Sequence, residues 1–349
     1  MRVAVLSYPM LFQSAGGIKM KIVRTIDALN MRGVEARLVD PVRERLTDYD
    51  LVHVFACHQG NFRIIQQAHA DGLPVVVSSI LSPSFTKWDG RKAAFLSRLV
   101  GRLTNWEVQT TYSQIRAGLL LADRVVVMGA VEHSIVKDGY GLPDDRICVV
   151  PNGIGNEFFH ATSDIFLKAH PMRRPFVLHV ANIGEQKNQL GLVRALKGVD
   201  VDVVLVGYSN KTNNAYLQQC LEEGGERVRY LGELPHGDLL ASAYSSAHVV
   251  AIPSQYEGMP NAILEGLAAD RPVVMTNKHT MDLELPGDCV IQVDSDDQEA
   301  IRVGVLRLLE NQPVAGRCRA IVTELSWPKV AEQLENIYRS VLKPATVTA

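Results

Sequence analysis

The chain has 349 residues, 36 of them basic and 38 acidic, for a net charge of −2, and 47% are hydrophobic. So much apolar chain excludes a disordered segment or a disulfide-stapled miniprotein, and at roughly 150 residues per domain the length predicts two domains. The balanced charge excludes a general nucleic-acid binder, which needs a cationic excess to neutralise phosphates.

In chain order, the first strand is expected over residues 3–6, then a glycine pair, Gly16-Gly17, and a helix over 21–31. That helix has apolar Ile22, Ile26 and Leu29 on one face and stops at Gly33. Short β-branched runs at 51–55, 75–77 and 124–127 are the next strands. Nearly continuous apolar strands alternating with amphipathic helices indicate a parallel sheet covered on both faces. Between them, segment 87–103 is locally basic, with Lys87, Arg91, Lys92, Arg98 and Arg102. On a helix Arg91, Arg98 and Arg102 share one face beside an apolar stripe of Leu96, Leu99, Val100 and Leu103. Two readings stand: a helix resting on anionic lipid or a lipid-diphosphate acceptor, or an ordinary helix packed on the sheet with a solvated basic edge.

The strand pattern restarts at 176–180 and continues at 203–207, 228–231, 249–253 and 272–275. Two successive α/β series predict two Rossmann-like domains, with a site where their strand ends face each other. The join is placed after Asn152-Gly153, and 154–174, which loses periodicity, is read as a linker. The domains are expected over 1–154 and 155–326, and 327–342 is an amphipathic helix with Val330, Leu334, Ile337, Tyr338 and Val341 on its apolar face. The five cysteines (Cys57, Cys148, Cys220, Cys289, Cys318) stand singly, which predicts reduced thiols and neither a disulfide framework nor a zinc site. The opening MRVAVLSYP has no long apolar core, and no 18 consecutive apolar residues occur anywhere. A cytoplasmic protein is expected.

The segment Pro253-Ser254-Gln255-Tyr256-Glu257-Gly258-Met259-Pro260-Asn261 follows a strand, turns at Gly258 and starts a helix with Pro260 near its first position. Glu257 then lies in the loop, and Glu265 about 10 Å further along the helix axis. Between them a helix N-terminus offers amides and a positive dipole end to an anion. That spacing suits a nucleotide-sugar, with Glu265 on ribose hydroxyls and Glu257 on the sugar. A solvent-facing loop acid and a helix acid paired with a base would fit the pattern too. Asp48-x-Asp50, Asp200-x-Asp202 and Asp294-x-Asp296 have a spacing used for divalent ions, but their places read as acidic turns, so no metal is expected.

The 253–269 segment resembles the paired-glutamate signature of retaining glycosyltransferases of the GT-B fold, in particular glycosyltransferase family 4 (glycosyl transferases group 1). Other stretches extend the likeness over most of the chain. Gly16-Gly17 is similar to the family's glycine loop, Val150-Pro151-Asn152-Gly153-Ile154 to its hinge, and Gly184-Glu185-Gln186-Lys187-Asn188-Gln189 to its phosphate-lysine loop. Tyr230-Leu231-Gly232-Glu233-Leu234 and 247–254 resemble the strands before the glutamates. The resemblance implies an α/β GT-B fold, two Rossmann-like domains facing across a cleft that closes at the hinge, with a C-terminal helix, 327–345, crossing back to the N-terminal domain. It implies a hexosyltransferase-type enzyme that moves a sugar, with retention, from a nucleoside-diphosphate sugar to an acceptor hydroxyl. UDP is the favoured nucleotide and polysaccharide, glycolipid or glycoside biosynthesis the setting.

Carried over position by position, Glu257 would orient the donor sugar and Lys187 would neutralise the departing diphosphate. Gly16, Gly17, Asn182, Gly184, Leu234, Gly258, Met259, Pro260, Asn261 and Glu265 would line the donor. The chain departs from the family twice: Asn182 stands where an Arg usually precedes the lysine, and Ser78-Ser79-Ile80 where a His usually follows the N-domain strand. Lys19 or Lys21 could supply the missing charge. His58 and Ser79, with His53 behind them, are the acceptor-side candidates. The acceptor is expected to be a sugar, a lipid-linked molecule or a small molecule, no cofactor is expected, and peripheral contact with the inner face of a membrane would run through 87–103. A GT-B nucleotide-sugar epimerase and a non-catalytic nucleotide-sugar-binding partner are the competing readings.

Overall fold

The computed structural model describes residues 1–342 except 14–16, 59, 82–84 and 106. The chain forms two compact units, Met1–Gly153 with Trp327–Ala349, and Ile154–Ser326.

In the first unit β1 (Arg2–Leu6), α1 (Gly17–Met31), β2 (Glu35–Leu38), β3 (Leu51–Phe55), α2 (Phe62–Ala70) and β4 (Val75–Ser78) lead to two long helices, α3 (Lys87–Leu103) and α4 (Thr111–Leu121). β5 (Arg124–Val127), α5 (Ala130–Ser134) and β6 (Ile147–Val149) complete it. Its sheet is parallel, in the order β2-β1-β3-β4-β5-β6. The chain goes out from β1 to β2 and returns to β3 on the other side of β1, so the switch point lies between β1 and β3. Val3, Val5, Leu51, Val76 and Val126 face one apolar cluster, and Ala4, Val52, Val54, Val75, Val77 and Val125 the other. Alternate residues of each strand therefore feed opposite faces, and both faces are buried, which is why the strands read as continuous apolar runs.

The second unit contains α6 (Asn156–Phe159), α7 (Asp164–Ala169), β7 (Phe176–Val180), α8 (Gln189–Ala195), β8 (Asp202–Val206), α9 (Asn214–Gly224), β9 (Val228–Tyr230) and α10 (Asp238–Ser246). β10 (Val249–Ile252), α11 (Asn261–Ala268), β11 (Val273–Thr276), β12 (Val290–Val293), α12 (Gln298–Glu310) and α13 (Arg317–Ala320) follow. This sheet is also parallel, in the order β12-β11-β10-β7-β8-β9, and its switch point lies between β7 and β10. The loops leaving the carboxyl ends of those two strands carry Lys187 and Glu257.

Segment 154–174 is not a linker. Ile154 N–H donates to Leu325 O at 2.7 Å and Ile154 bridges to Ser326, which places it in the second unit. Phe158 and Phe166 are buried in that unit's core, and Ser242 Oγ accepts from Phe166 N at 2.9 Å. Ser245 Oγ and Ser246 Oγ donate to the carbonyls of Ala161 and Ser163. α6 and α7 have four and six residues, too few turns to show a period, so their phenylalanines did not register as a packed face.

The last helix, α14 (Trp327–Leu342), belongs to the first unit and packs on α1. Its Tyr338 is fully buried, with the hydroxyl 2.7 Å from His53 Nδ1, while Ser78 Oγ lies 2.9 Å from His53 Nε2. His53 is thus a core histidine held between two hydroxyls, stacked on Phe55. Glu335 accepts from Arg32, just past the end of α1, at 2.8 Å and from Arg339 one turn on at 2.6 Å. The Trp327 ring lies over Gly153 so closely that a Cβ there would overlap it, which accounts for a glycine at this join.

Candidate active site

The loop that carries Lys187 follows β7, which ends at Val180. Gly184 O accepts from Lys187 N, and Asn188 adopts a left-handed conformation at φ 58°, one that asparagine tolerates better than most residues. Asn188 Nδ2 donates to Pro253 O at 3.0 Å and to Ser295 O at 2.7 Å. Gln186 O accepts from Gln255 N, and Gln186 Nε2 donates to Tyr256 O at 2.7 Å. The loop after β7 is therefore bound along its length to the loop after β10. That joint aims Lys187 Nζ at Glu257 Oε1, 2.7 Å away, with 26% of the lysine side chain and 8% of the glutamate side chain exposed. Glu257 is held from behind by its own backbone, whose N–H donates to Lys278 O at 2.9 Å.

Glu265 points into the same unit from inside α11. Tyr244 on α10, wholly buried, donates its hydroxyl to Glu265 Oε2 at 2.9 Å, and His236 Nδ1 lies 3.9 Å from Glu265 Oε1. Burial, and after it the neighbouring carboxylate, pushes the Tyr244 phenol well above its usual pKa of about 10. Tyr244 thus stays a hydrogen-bond donor that holds the glutamate in one orientation. Tyr244→Phe should cost the second unit about 1–3 kcal/mol, because a buried acceptor loses its donor while the ring packing is kept. Urea titration followed by far-UV circular dichroism would read it, and an unchanged midpoint would mean the hydroxyl holds nothing.

The other donor-side candidates lie in the same loops. Gly184 is extended, and its N–H donates to Gln189 Oε1 at 3.3 Å. Asn182 is exposed, with its carbonyl accepting from Gln189 Nε2. Gly258, Met259 and Asn261 are half-buried at the start of α11, and Leu234 is half-buried against the core. Pro260 stands just before the first helical residue, and its carbonyl accepts from Ile263 N. Gly17 opens α1 in the first unit, whereas Gly16 lies outside the described residues.

In the first unit Ser79 corrects the expectation. Its side chain is 0% exposed, and its hydroxyl donates to Glu132 Oε1 at 2.7 Å, so it is not presented to an acceptor. Glu132 also accepts from Leu81 N at 2.9 Å and Met128 N at 2.7 Å. Lys21 sits near this carboxylate; burial lowers its pKa to about 8 and Glu132 opposes that fall. Lys21 itself is half-buried. His58 is half-buried, its ring centroid 6.3 Å from that of Tyr8, and burial lowers its pKa from 6.5. The acidic pairs are engaged elsewhere: Asp50 with Arg2 N, Asp200 with Arg227 and Arg174, and Asp294 with Lys278. Among the described residues no three His, Cys, Asp or Glu side chains cluster closely enough to hold a metal ion.

The sequence reading gave no individual role to Asn188, Gln186, Tyr244, His236 or Glu132. Asn188 adjoins the lysine, and an asparagine at a strand-to-helix turn is a detectable sign of a left-handed residue. Tyr244 and Glu132 carry no local signal, because each is defined by a partner 21 or 53 residues away.

Residues 174–311, which contain β7, Lys187 and both glutamates, match the family description "Glycosyl transferases group 1". The O-antigen chain mannosyltransferase B of Escherichia coli is 28% identical over 216 residues, 57% of this chain and 56% of that protein. A D-inositol 3-phosphate glycosyltransferase of Corynebacterium aurimucosum is 28% identical over 243 residues, 63% of this chain and 58% of that protein. The matches thus span little more than half the length of these relatives. Among solved structures, sucrose-phosphate synthase from Thermosynechococcus elongatus superposes with a TM-score of 0.77 at 18% identity, covering 98% of this chain and 99% of the other. Anabaena Alr3699/HepE in complex with UDP gives 0.73 at 16% identity over 97% and 100%. These likenesses establish the fold as GT-B.

Proposed function

We propose that the protein transfers a sugar from a nucleoside-diphosphate sugar, with UDP-sugar favoured, to an acceptor hydroxyl, retaining the anomeric configuration and needing no metal. The observation that carries this reading is the Lys187–Glu257 pair at the switch point of the second sheet, with Glu265 on the helix that Glu257 precedes. Ligands of open α/β sheets bind outside the carboxyl ends of strands at such points. The group 1 glycosyl transferase match covers this region, and the Anabaena neighbour was solved with UDP and with UDP-glucose.

In this reading Glu265, its orientation held by Tyr244, takes the ribose hydroxyls. Lys187 and the start of α11 meet the diphosphate, whose charge grows as the sugar–oxygen bond breaks. Glu257 orients the sugar and is not assigned as a nucleophile. The acceptor hydroxyl enters on the face from which the diphosphate leaves, with His58 as the remaining acceptor-side candidate. A hexose donor and a glycan, glycolipid or glycoside acceptor fit the relatives named above, one a mannosyltransferase and one acting on D-inositol 3-phosphate. A cytoplasmic location, where nucleotide-sugars are made, belongs to the same reading.

The test is thermal stabilisation by UDP, GDP, ADP, dTDP and CMP, each with and without EDTA, followed by turnover of the stabilising nucleotide's sugars. At a hundred times its dissociation constant the true ligand should add about 2.7 kcal/mol. One diphosphate is expected to stabilise, indifferent to EDTA, and its sugar to be consumed only when an acceptor is present. Consumption without acceptor would point to an epimerase, and binding without turnover to a non-catalytic partner. No stabilisation by any of them would sink the donor site.

A further inference from the structure

Helix α3 is built the wrong way round for a helix that buries its apolar face. The residues it turns inward are small: Gly90, Ser97 and Gly101 are buried, and Ala94 is half-buried between them. They let the helix close on the Ile135–Gly139 turn, where a Cβ on Gly90 would come within 2.7 Å of Gly139 Cα. Successive residues turn by about 100° around a helix, so the opposite face holds Trp88, Phe95, Leu96, Leu99 and Leu103. All five are between 46% and 78% exposed. The stripe seen in the sequence is real, but it does not cover the sheet.

Charge decides what it meets. α3 has five basic residues (Lys87, Arg91, Lys92, Arg98, Arg102) and one acidic residue, Asp89, a balance of +4 in a chain whose total is −2. Asp89 is spent on the helix cap, where it accepts from Thr86 N and Oγ. Arg91, Arg98 and Arg102 form a row along one edge of the apolar stripe, and Lys92 lies within it. Arg91 also rests over the Trp88 ring, 4.7 Å from its centroid. Large apolar side chains flanked by arginines, with an aromatic at one end, match the boundary between anionic headgroups and acyl chains. A second copy of this chain would have to bring the same cationic row against itself.

We propose that α3 lies flat on an anionic lipid surface, with Trp88, Phe95, Leu99 and Leu103 entering the acyl boundary and the arginine row meeting headgroup phosphates. Among the described residues no helix is long and apolar enough to cross a membrane, so the contact is peripheral. The proposal is independent of the reaction assigned above.

The experiment is co-sedimentation of the full chain with vesicles of phosphatidylcholine alone and of phosphatidylcholine mixed with phosphatidylglycerol, at low and high salt. Partition onto the anionic vesicles should exceed that onto neutral ones by more than about tenfold and fall as salt rises. Two variants separate the contributions: Phe95→Gln/Leu99→Gln/Leu103→Gln, and Arg91→Gln/Arg98→Gln/Arg102→Gln. Each changes only exposed side chains, should melt as the wild type does, and should lower partition at least about tenfold. Equal partition onto both vesicle types, no partition, or wild-type partition by either variant would overturn the proposal. So would a dimer in sedimentation velocity that the apolar variant abolishes, which would make the stripe a contact between copies.

Discussion

Replacing Lys187 by alanine is expected to lower kcat/KM for sugar transfer by about 10²–10³-fold, the size of effect seen when one group aimed at a developing charge is removed. In the free protein the ammonium rests 2.7 Å from Glu257 Oε1. A diphosphate arriving beside this pair finds a cation already held in place by the Gln186 and Asn188 bonds to the neighbouring loop, so little reorganisation is needed as charge builds. Alanine removes that cation and leaves the Glu257 carboxylate uncompensated, facing an anionic ligand. The double variant Lys187→Ala/Glu257→Gln should therefore bind the free nucleoside diphosphate more tightly than Lys187→Ala does, yet transfer sugar no faster. Lys187→Arg should recover part of the binding. Calorimetric dissociation constants and initial rates on the four proteins decide it. If Lys187→Ala keeps the wild-type constant and rate, the pair is a tie between two loops and nothing more.

Acid should destabilise both units well before the carboxylates titrate. Burial lowers the His53 pKa to about 3 and the His179 pKa to about 4, from 6.5. His179 Nδ1 lies 2.7 Å from Ala251 O, so that nitrogen carries the proton and donates, and the buried Nε2 has no partner among the described residues. For each histidine the folded state refuses a proton that the unfolded chain accepts below pH 6.5. Stability is therefore fully present above that pH and lost as pH falls, by about 1.4 kcal/mol per pH unit for each group, until the folded pKa is reached. His58 and His248, also lowered by burial, act in the same direction. Carboxylates such as Glu335 and Asp200, whose folded pKa values are depressed, lose their contribution only below their unfolded values near 4. The window from pH 6.5 to about 4.5 thus belongs to the histidines. Urea midpoints measured across it should fall steadily, and His53→Phe, which keeps a ring stacked on Phe55, should flatten the slope for the first unit. A constant midpoint, or His53 and His179 ring resonances titrating near 6.5, would contradict the assignment.

Much of the fold was legible because a parallel sheet buried on both faces leaves a plain trace, strands that are apolar throughout and helices that are apolar on one side. The runs at β1, β3, β4, β5, β7, β8 and β10 read correctly for that reason. The site was legible where chemistry follows a strand within a few residues. Lys187 and Glu257 each stand in the loop just after a strand, and that position alone predicts the edge of the sheet they occupy.

The amino-acid sequence by itself determined that there are two α/β series, which segments are strands, and which loops carry cations and carboxylates. Those properties depend on neighbours in the chain. The tertiary structure decided the pairings: Lys187 with Glu257 across 70 residues, Tyr244 with Glu265, Ser79 with Glu132, and His53 with Tyr338. It also decided that 154–174 is packed into the second unit. Helix α3 shows why this division arises. Periodicity reports that an apolar stripe exists, but a helix can pack through glycine, serine and alanine as well as through leucine, since close approach needs small side chains. Which face is buried depends on what lies opposite, here Gly139, and only the folded chain brings that residue alongside.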